Sequence, residues 1–356
     1  MLSSKLAGSA LLQNLQETTV ISAVPRERAY PVIGTHDGSF HCDEALAVSM
    51  LRALPEYKEA HVLRSRKPDE LEACDIVVDV GAVYNAEKLR FDHHQREFAG
   101  TFEGYNTKLS SAGLVYKHFG RRVIQSILAS AGDETVPDSF VDICYDKIYK
   151  NFMEHIDAID NGVSVADGEL KYRISSTLSN RVGSLNPSWN EPQTPAVFDE
   201  RFRDAMMLTF SEFASHVVDL WKVWWPARVF VQQAFDARHT VHPSGKIMVL
   251  EQFCPWKDHL FEIEYEVRHH QDAGEILYVL YADSGGSWRI QAVPVDPTSF
   301  NSRKKLPEVW CGLRDEVLSE KISFPGAIFI HASGFIGGHK SYEGALHIAT
   351  QVLLAQ

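Results

Sequence analysis

The 356-residue sequence lacks several features that would assign it to common protein classes. It contains no continuous stretch of about 18 uncharged apolar residues, so no membrane-spanning helix is predicted. Its five cysteines show no CxxC spacing, which argues against a disulfide scaffold or a structural zinc ribbon and indicates a reducing compartment. Signatures of serine hydrolases, P-loop proteins and HExxH metalloproteases are also missing. The formal net charge of -12 disfavours a broad basic surface for nucleic acid.

What is present is an ordinary globular composition, 45% hydrophobic and 23% charged, with 16 histidines. At about 100–200 residues per domain, the length predicts two domains. Residues 1–28 are predicted to be an N-terminal tail, whose first 16 residues contain no acid and a single lysine. That composition suits either a mitochondrial transit peptide or a disordered or helical tail. We expect a metal-binding catalytic domain at residues 29–190, a linking helical segment at 191–240 and a substrate-binding domain at 241–356.

From residue 30 onward, strand-like and helix-like segments alternate. Strands are predicted at residues 30–35, 60–64, 75–80 and 88–91, and helices at residues 43–54 and 110–119. Such alternation predicts a parallel sheet covered by helices on both faces. Ligands bind at the carboxyl ends of the strands in sheets of this kind. The predicted fold class is therefore α/β, with a smaller α/β domain at the C-terminus.

Histidine and aspartate side chains follow these predicted strands, and they should meet at one edge of the sheet. The candidate metal ligands are His36, His41, Asp43, Asp79, His93 and Asp157. Mixed imidazole and carboxylate ligands suit Mn²⁺, with Mg²⁺ as an alternative that prefers oxygen. The set is large enough for two metal ions that share a carboxylate, and such pairs catalyse in-line phosphoryl displacement. Asp79 is the predicted bridge because it ends a buried apolar strand.

Each of these residues also has an ordinary structural interpretation, because single histidines in loops and aspartates at helix starts are common. A different chemistry would use Cys42 as a nucleophile beside His41. The neighbouring carboxylates Asp43 and Glu44 should raise the pKa of that thiol and disfavour the thiolate. A metal centre is therefore the preferred hypothesis.

A second candidate site is the glycine-rich sequence GFIGGH at residues 334–339, predicted to connect a strand to a helix. Glycine lets the backbone approach a ligand closely, and a following helix N-terminus attracts phosphate. Gly337, Gly338 and His339 are therefore candidate substrate-binding residues. Arg303 begins a short basic run that suits either phosphate contact or a solvated surface.

The triplet Asp92-His93-His94 resembles the motif of the DHH phosphoesterase superfamily. More closely, the segments GTHDGSFHCDEALA, DVGAVYNAEKLRFDHHQ, NFMEHIDAIDNG and FIHASGFIGGHKSYEGAL resemble the MYG (melanocyte-proliferating-gene type) exonuclease family. The resemblance runs from about residue 30 to the C-terminus. It implies a manganese-dependent 3′–5′ RNA exonuclease that uses a two-metal-activated water and is associated with mitochondria and the nucleus. The implied partner is RNA or a short oligonucleotide.

Residue by residue, the resemblance assigns roles to the motifs of this chain. His36, His41 and Asp43 match the first motif, Asp79 the second as bridging ligand, and Asp92, His93 and His94 the third. The implied catalytic residues are His94, Asp79 and Asp92, with His94 nearest the scissile phosphate. The fourth motif falls on Asp157 or on Asp160, three residues later on the same helix. Two rival functions stay open, a small-phosphate hydrolase and a non-catalytic nucleotide- or metal-binding regulator.

Overall fold

A computed structural model of the chain describes residues 10–133, 135–269 and 274–354. The chain divides into two compact units, Met1–Trp221 and Lys222–Gln356, so the boundary lies inside the segment 191–240 that was predicted as a linker. The first nine residues of the predicted transit peptide lie outside the described residues. No helix in the described part of the chain is long and apolar enough to cross a bilayer.

The first unit contains a six-stranded sheet and eight α-helices within its described residues. Its strands are β1 (Val20–Ile21), β2 (Val32–Thr35), β3 (His61–Arg64), β4 (Ile76–Val78), β5 (Tyr84–Asn85) and β6 (Arg90–Phe91). Its helices are α1 (Ala10–Gln16), α2 (Cys42–Arg52), α3 (Pro68–Glu72), α4 (Ser111–Ser130), α5 (Asp138–Ile148), α6 (Glu154–Asp160), α7 (Leu178–Gly183) and α8 (Pro195–Asp219). A π-helical turn, Tyr149–Met153, joins α5 to α6.

The strands of this sheet lie in the order β1-β3-β2-β4-β6-β5. All neighbouring pairs are parallel except β5 and β6, which form a short antiparallel pair at one edge. The predicted α/β class is therefore confirmed. The central strands β2 and β4 are buried along their whole length, as expected for a sheet covered on both faces.

Helix α2 is enclosed by its surroundings, and all eleven of its residues are buried. It packs against α4 and α8 as well as the sheet. Because its first turn begins after the loop that follows β2, Asp43 and Glu44 are carried into the interior at the carboxyl edge of the sheet. Two acids buried at one helix start need compensating partners. That requirement points to the site described below.

The second unit is built on a five-stranded sheet. Its strands are β7 (Ile247–Val249), β8 (Tyr278–Ala282), β9 (Trp288–Ala292), β10 (Ala327–Ile330) and β11 (Ile336–His339), in the order β10-β11-β9-β8-β7. Its helices are α9 (Trp225–Asp236), α10 (Arg238–Val241), α11 (Lys257–Val267), α12 (Asp315–Ile322) and α13 (Tyr342–Leu354). Only β7 and β8 are parallel, so this smaller sheet is mostly antiparallel.

The glycine-rich sequence is not the strand-to-helix loop that was predicted, because residues 336–339 form β11. Gly337 and Gly338 pair with β9 and β10 on either side. A Cβ atom at Gly338 would lie 2.7 Å from Arg289 Nη1 and 2.8 Å from Phe329 Cε1. Glycine is therefore needed here so that neighbouring side chains can cross the strand, which is a packing role rather than an open ligand loop.

Candidate metal centre

Three parallel strands deliver the predicted ligands to one edge of the first sheet. His36 follows β2, Asp79 follows β4, and the triplet beginning at Asp92 follows β6. The register aligns Ile33 with Ile76 in the first pair of strands, and Val78 with Phe91 in the second. The strand ends therefore coincide, and the side chains that follow them are brought together.

Asp79 lies at the middle of the cluster. Its backbone is in the left-handed region (φ 57°), a conformation that aspartate adopts more readily than most residues. Its Oδ2 lies 3.4 Å from His36 Nε2, and its Oδ1 lies 3.6 Å from His93 Nε2. Ser111 Oγ, at the start of α4, donates a hydrogen bond of 3.1 Å to Oδ1. Each carboxylate oxygen thus faces a different histidine, which is the arrangement expected of a bridging ligand.

Potential ligand atoms form two main groups around this carboxylate. Within each group the atoms lie within 4.8 Å of one another, and the groups are His36, His41, Glu44 and Asp79, and Asp43, His93 and Asp160. Asp79 also groups with His93 and His94. Both main groups combine imidazole with carboxylate, the donor set that suits Mn²⁺ or a similar divalent ion.

Glu44 is a member of this cluster that sequence reasoning assigned only to perturbing Cys42. Its Oε1 accepts a 2.7 Å hydrogen bond from the backbone N–H of His41 and lies 3.0 Å from His36 Nε2. Its position three residues after His41, at the start of a helix, matches a capping box. That spacing was the available signal that the Glu44 side chain turns back toward the loop.

The two aspartates of α6, between which the sequence analysis left the choice open, have different surroundings. Asp157 is fully buried, and its Oδ1 accepts hydrogen bonds from Ser110 N (2.9 Å) and Ser110 Oγ (2.7 Å). Its Oδ2 accepts a 2.9 Å bond from the hydroxyl of Tyr149. Asp160 Oδ2 instead lies 3.0 Å from His93 Nε2. Asp157 therefore anchors the start of α4, whereas Asp160 is the aspartate of α6 that faces His93 and joins the candidate ligand group.

Several buried polar atoms of the cluster have no hydrogen-bond partner among the described residues. They are Asp43 Oδ1, Glu44 Oε2 and His93 Nδ1. Leaving a buried polar group unpaired costs about 1–3 kcal/mol, and more for a charged group. A bound divalent cation would satisfy such atoms directly. The residues present therefore fit a metal ion on the evidence of their own unmet contacts.

The charges of the cluster are strongly coupled. Burial, reinforced by Asp79 and Asp160, raises the pKa of Asp43 well above its usual range. Burial lowers the pKa of His36, but its contacts with Asp79 and Glu44 outweigh that effect and raise it to about 10. For His93, contacts with Asp160 and Asp79 likewise outweigh burial and raise the pKa to about 9. Crowded carboxylates thus hold protons on two imidazoles, which indicates a site that requires positive charge.

His94 and Asp92 form a pair at the rim of the cluster. His94 is 58% exposed, and its Nδ1 lies 2.7 Å from Asp92 Oδ1. Asp92 is buried, and its Oδ2 accepts a 2.6 Å hydrogen bond from the backbone N–H of Ala82. Asp92 therefore orients His94 and braces the turn after Asp79. His94 keeps an exposed ring face that is accessible to a ligand.

The predicted substrate residues of the second unit are engaged within that unit. His339 is 1% exposed; its Nε2 lies 3.0 Å from the carbonyl of Pro325, and its Nδ1 accepts a 3.0 Å bond from Ser341 N. Arg303 forms a two-pronged ion pair with Glu264, at 2.8 and 2.7 Å. Arg303 is therefore paired within its own unit, and its predicted contact with phosphate stays a prediction. The ring of His339 is likewise a packed core group.

The cysteine alternative is disfavoured by the structure. Cys42 is buried at the first position of α2, and burial raises the pKa of its thiol to about 12. A thiol with that pKa is protonated at neutral pH and is a poor nucleophile.

Fold and site together define an α/β protein with a candidate metal centre at the carboxyl edge of a parallel sheet. The family model for MYG1 exonucleases, described as an uncharacterised protein family (UPF0160), matches residues 32–353. The chain belongs to this family.

It is 48% identical over 333 residues to the MYG1 exonuclease of Bos taurus, covering 91% of this chain and 85% of that protein. The MYG1 exonuclease of Homo sapiens is 47% identical over 333 residues, covering 91% and 86%. A MYG1 protein of Caenorhabditis elegans is 48% identical over 330 residues, covering 90% and 95%.

Proposed function

We propose that this protein is a metal-dependent phosphodiesterase, and specifically a 3′–5′ RNA exonuclease that uses two Mn²⁺ ions. The observation that carries the proposal is the buried cluster around Asp79, whose unpaired atoms call for a divalent cation. The names of the bovine and human relatives, both MYG1 exonucleases, support a nucleic-acid substrate. The polarity, the preference for RNA and the proposed location in mitochondria and the nucleus rest on the family resemblance.

The ligands would divide between two positions that share Asp79. The first would be held by His36, His41 and Asp79, with Glu44 beside them, and the second by Asp43, Asp79, His93 and Asp160. Two ions bound there supply an activated water for in-line attack and offset charge on the phosphate. Ser111 holds the Asp79 carboxylate in place through its hydroxyl.

His94 has the only catalytic role that we assign outside the ligand set. Its ring is exposed, and Asp92 fixes the ring orientation from behind through the 2.7 Å contact at Nδ1. When the imidazole is doubly protonated, its Nε2–H would donate a hydrogen bond to a phosphate oxygen and stabilise the charge that develops there. Asp92 acts through His94 and is a positioning residue.

The direct test is Asp79→Asn, compared with Asp142→Asn, whose side chain is exposed and paired with Arg121. Asparagine also tolerates the left-handed backbone at position 79, so the fold should persist. We expect Mn²⁺-dependent release of mononucleotides from the 3′ end of a labelled oligoribonucleotide to fall by at least about 100-fold. The control variant should retain the wild-type rate. A wild-type rate in Asp79→Asn would contradict the proposal, and hydrolysis of pyrophosphate alone would favour the small-phosphate rival.

A further inference from the structure

Trp189 is the most exposed tryptophan side chain that the structure describes, with 92% of its surface open. An indole exposed to this extent offers its flat faces to a planar ligand. We propose that Trp189 is a stacking residue for a base near the 3′ end of the nucleic-acid strand. This inference rests on the proposed function and adds a binding residue to it.

The loop that carries Trp189, residues 186–194, is braced by its own hydrogen bonds. Ser188 N donates to Glu191 Oε2 at 2.6 Å, and Glu191 N donates back to the carbonyl of Ser188 at 2.8 Å. Gln193 Nε2 donates to the carbonyls of Ser188 and Glu191, at 2.9 and 3.1 Å. The loop also contains Pro187 and Pro192, which restrict the backbone further. The indole is therefore presented on a pre-organised support, which lowers the entropic cost of binding.

This loop is attached directly to the loop that carries the first ligands. Asn186 Nδ2 donates to the carbonyl of Phe40 at 2.9 Å, and Phe40 N donates to Asn186 Oδ1 at 3.0 Å. Phe40 directly precedes His41 and is itself buried. At no more than about 3.6 Å per residue, Trp189 Cα lies within about 11 Å of Asn186 Cα. The proposal places on this indole a base close to the strand end whose phosphate is held at the ligands.

Charge favours a base over a phosphate as the group that Trp189 recognises. The loop 186–194 contains no lysine or arginine and carries one acid, Glu191. The nearby Arg201 is oriented toward Glu191, at 3.4 Å. Stacking requires no cation and accepts any base, because every base has a π face. It also suits a chain with a net charge of -12, in which phosphates would be held at the metal centre alone.

The test compares Trp189→Ala and Trp189→Phe with Tyr30→Ala in steady-state hydrolysis of a short oligoribonucleotide with Mn²⁺. Tyr30 is a 45% exposed aromatic that precedes β2, at the opposite edge of the sheet. Stacking contributes about 1–3 kcal/mol per base, so Trp189→Ala should raise KM by about 5- to 150-fold with little change in kcat. Trp189→Phe should restore most of the loss, and Tyr30→Ala should match the wild type.

A second substrate separates stacking from a structural effect. An oligoribonucleotide with abasic sites at its last positions should bind wild type and Trp189→Ala equally weakly. If wild type degrades the normal strand and Trp189→Ala does so with an unchanged KM, the stacking assignment is wrong while the proposed function stands. A change in oligomeric state without a change in KM would identify the indole as a protein contact instead. A wild type that neither binds nor degrades oligonucleotides would overturn both the stacking assignment and the proposed function.

Discussion

The histidines at His93 and His339 are both buried, but they differ in what surrounds them. His93 Nδ1 lacks a hydrogen-bond partner among the described residues, and His93 Nε2 faces the carboxylates of Asp160 and Asp79. Both ring nitrogens of His339 are matched to backbone groups. The ring of His339 also fills the space above Gly344. The fold supplies hydrogen-bond partners for both ring nitrogens of His339. It leaves a ring nitrogen of His93, and nearby carboxylate oxygens, without one.

The same contrast separates two acids on one helix. Asp157 accepts three hydrogen bonds, so both of its carboxylate oxygens have partners. Asp160 instead faces His93 at the edge of the cluster. Residue type alone therefore does not define a site. What distinguishes the metal centre is the set of polar atoms that the protein leaves unpaired in a buried position.

The largest expected effect is on Mn²⁺ affinity, where replacement of Asp160 and of Asp157 by asparagine should differ. Asp160→Asn should weaken Mn²⁺ binding by more than about 100-fold, since loss of a ligand should exceed the 10- to 100-fold cost of losing a partner behind one. Asp157→Asn should change Mn²⁺ affinity by less than about threefold, because its oxygens serve Ser110 and Tyr149. Isothermal titration with Mn²⁺ measures both. The opposite order of effects would restore Asp157 to the ligand set.

A smaller effect is expected on stability when alanine replaces either of two glycines, Gly113 beside Asp157 and Gly344 beside His339. A Cβ at Gly113 would overlap Asp157 Oδ1, and a Cβ at Gly344 would overlap the ring of His339. Overpacking of this kind costs about 1–3 kcal/mol. Both variants should lower the free energy of unfolding. Gly113→Ala should also lower Mn²⁺ affinity, because a displaced Asp157 would shift α6, which carries Asp160, whereas Asp157→Asn leaves the helix in place.

Urea denaturation and Mn²⁺ titration of each glycine variant provide the measurement. Gly183→Ala is the matched control, because its Cβ meets no atom within 4 Å and its backbone needs no left-handed conformation. Equal loss of Mn²⁺ affinity in Gly113→Ala and Gly344→Ala would erase the contrast between the two regions.

A separate effect, on stability alone, is a pH dependence from Asp157. Burial raises its pKa from 3.8 to about 7 in the folded protein, against the hydrogen bonds from Ser110 and Tyr149. Between pH 4 and 7 the folded form therefore keeps a proton that the unfolded chain has lost. The contribution of this bound proton to the free energy of unfolding is complete below about pH 4. It falls by up to about 1.4 kcal/mol per pH unit toward pH 7.

Asparagine at this position cannot titrate, so Asp157→Asn should lack that slope. The difference in free energy of unfolding between wild type and variant, measured by urea denaturation without metal at pH 5 to 8, should shrink as pH rises and level off above pH 7. Parallel pH profiles would show that Asp157 is ionised throughout.

The parallel sheet and its ligand-bearing edge could be predicted because alternating strands and helices leave few arrangements. His36, Asp79 and His93 come together for that reason, as residues that follow parallel strands. The choice between Asp157 and Asp160 could not be made, since both lie on α6 and the π-helical turn Tyr149–Met153 shifts the helical register before it. Which acid faces inward depends on where the start of α4 packs.

The glycine-rich strand was missed for a related reason. Glycine is compatible with a ligand loop and with a crowded strand, and only the pairing of β11 with β9 and β10 decides between them. Arg303 shows the same limit, because Glu264, its partner, lies 39 residues away in sequence. Long-range partners determine whether a charged or polar residue is available to a ligand.

The central claim is that the cluster around Asp79 binds two divalent ions. Equilibrium dialysis of metal-free protein against Mn²⁺, followed by elemental analysis, tests it most directly. The account predicts two Mn²⁺ per chain in the wild type and fewer than two in Asp79→Asn, with two retained in Asp142→Asn. A wild-type chain that binds no Mn²⁺, or a stoichiometry unchanged by Asp79→Asn, would contradict it.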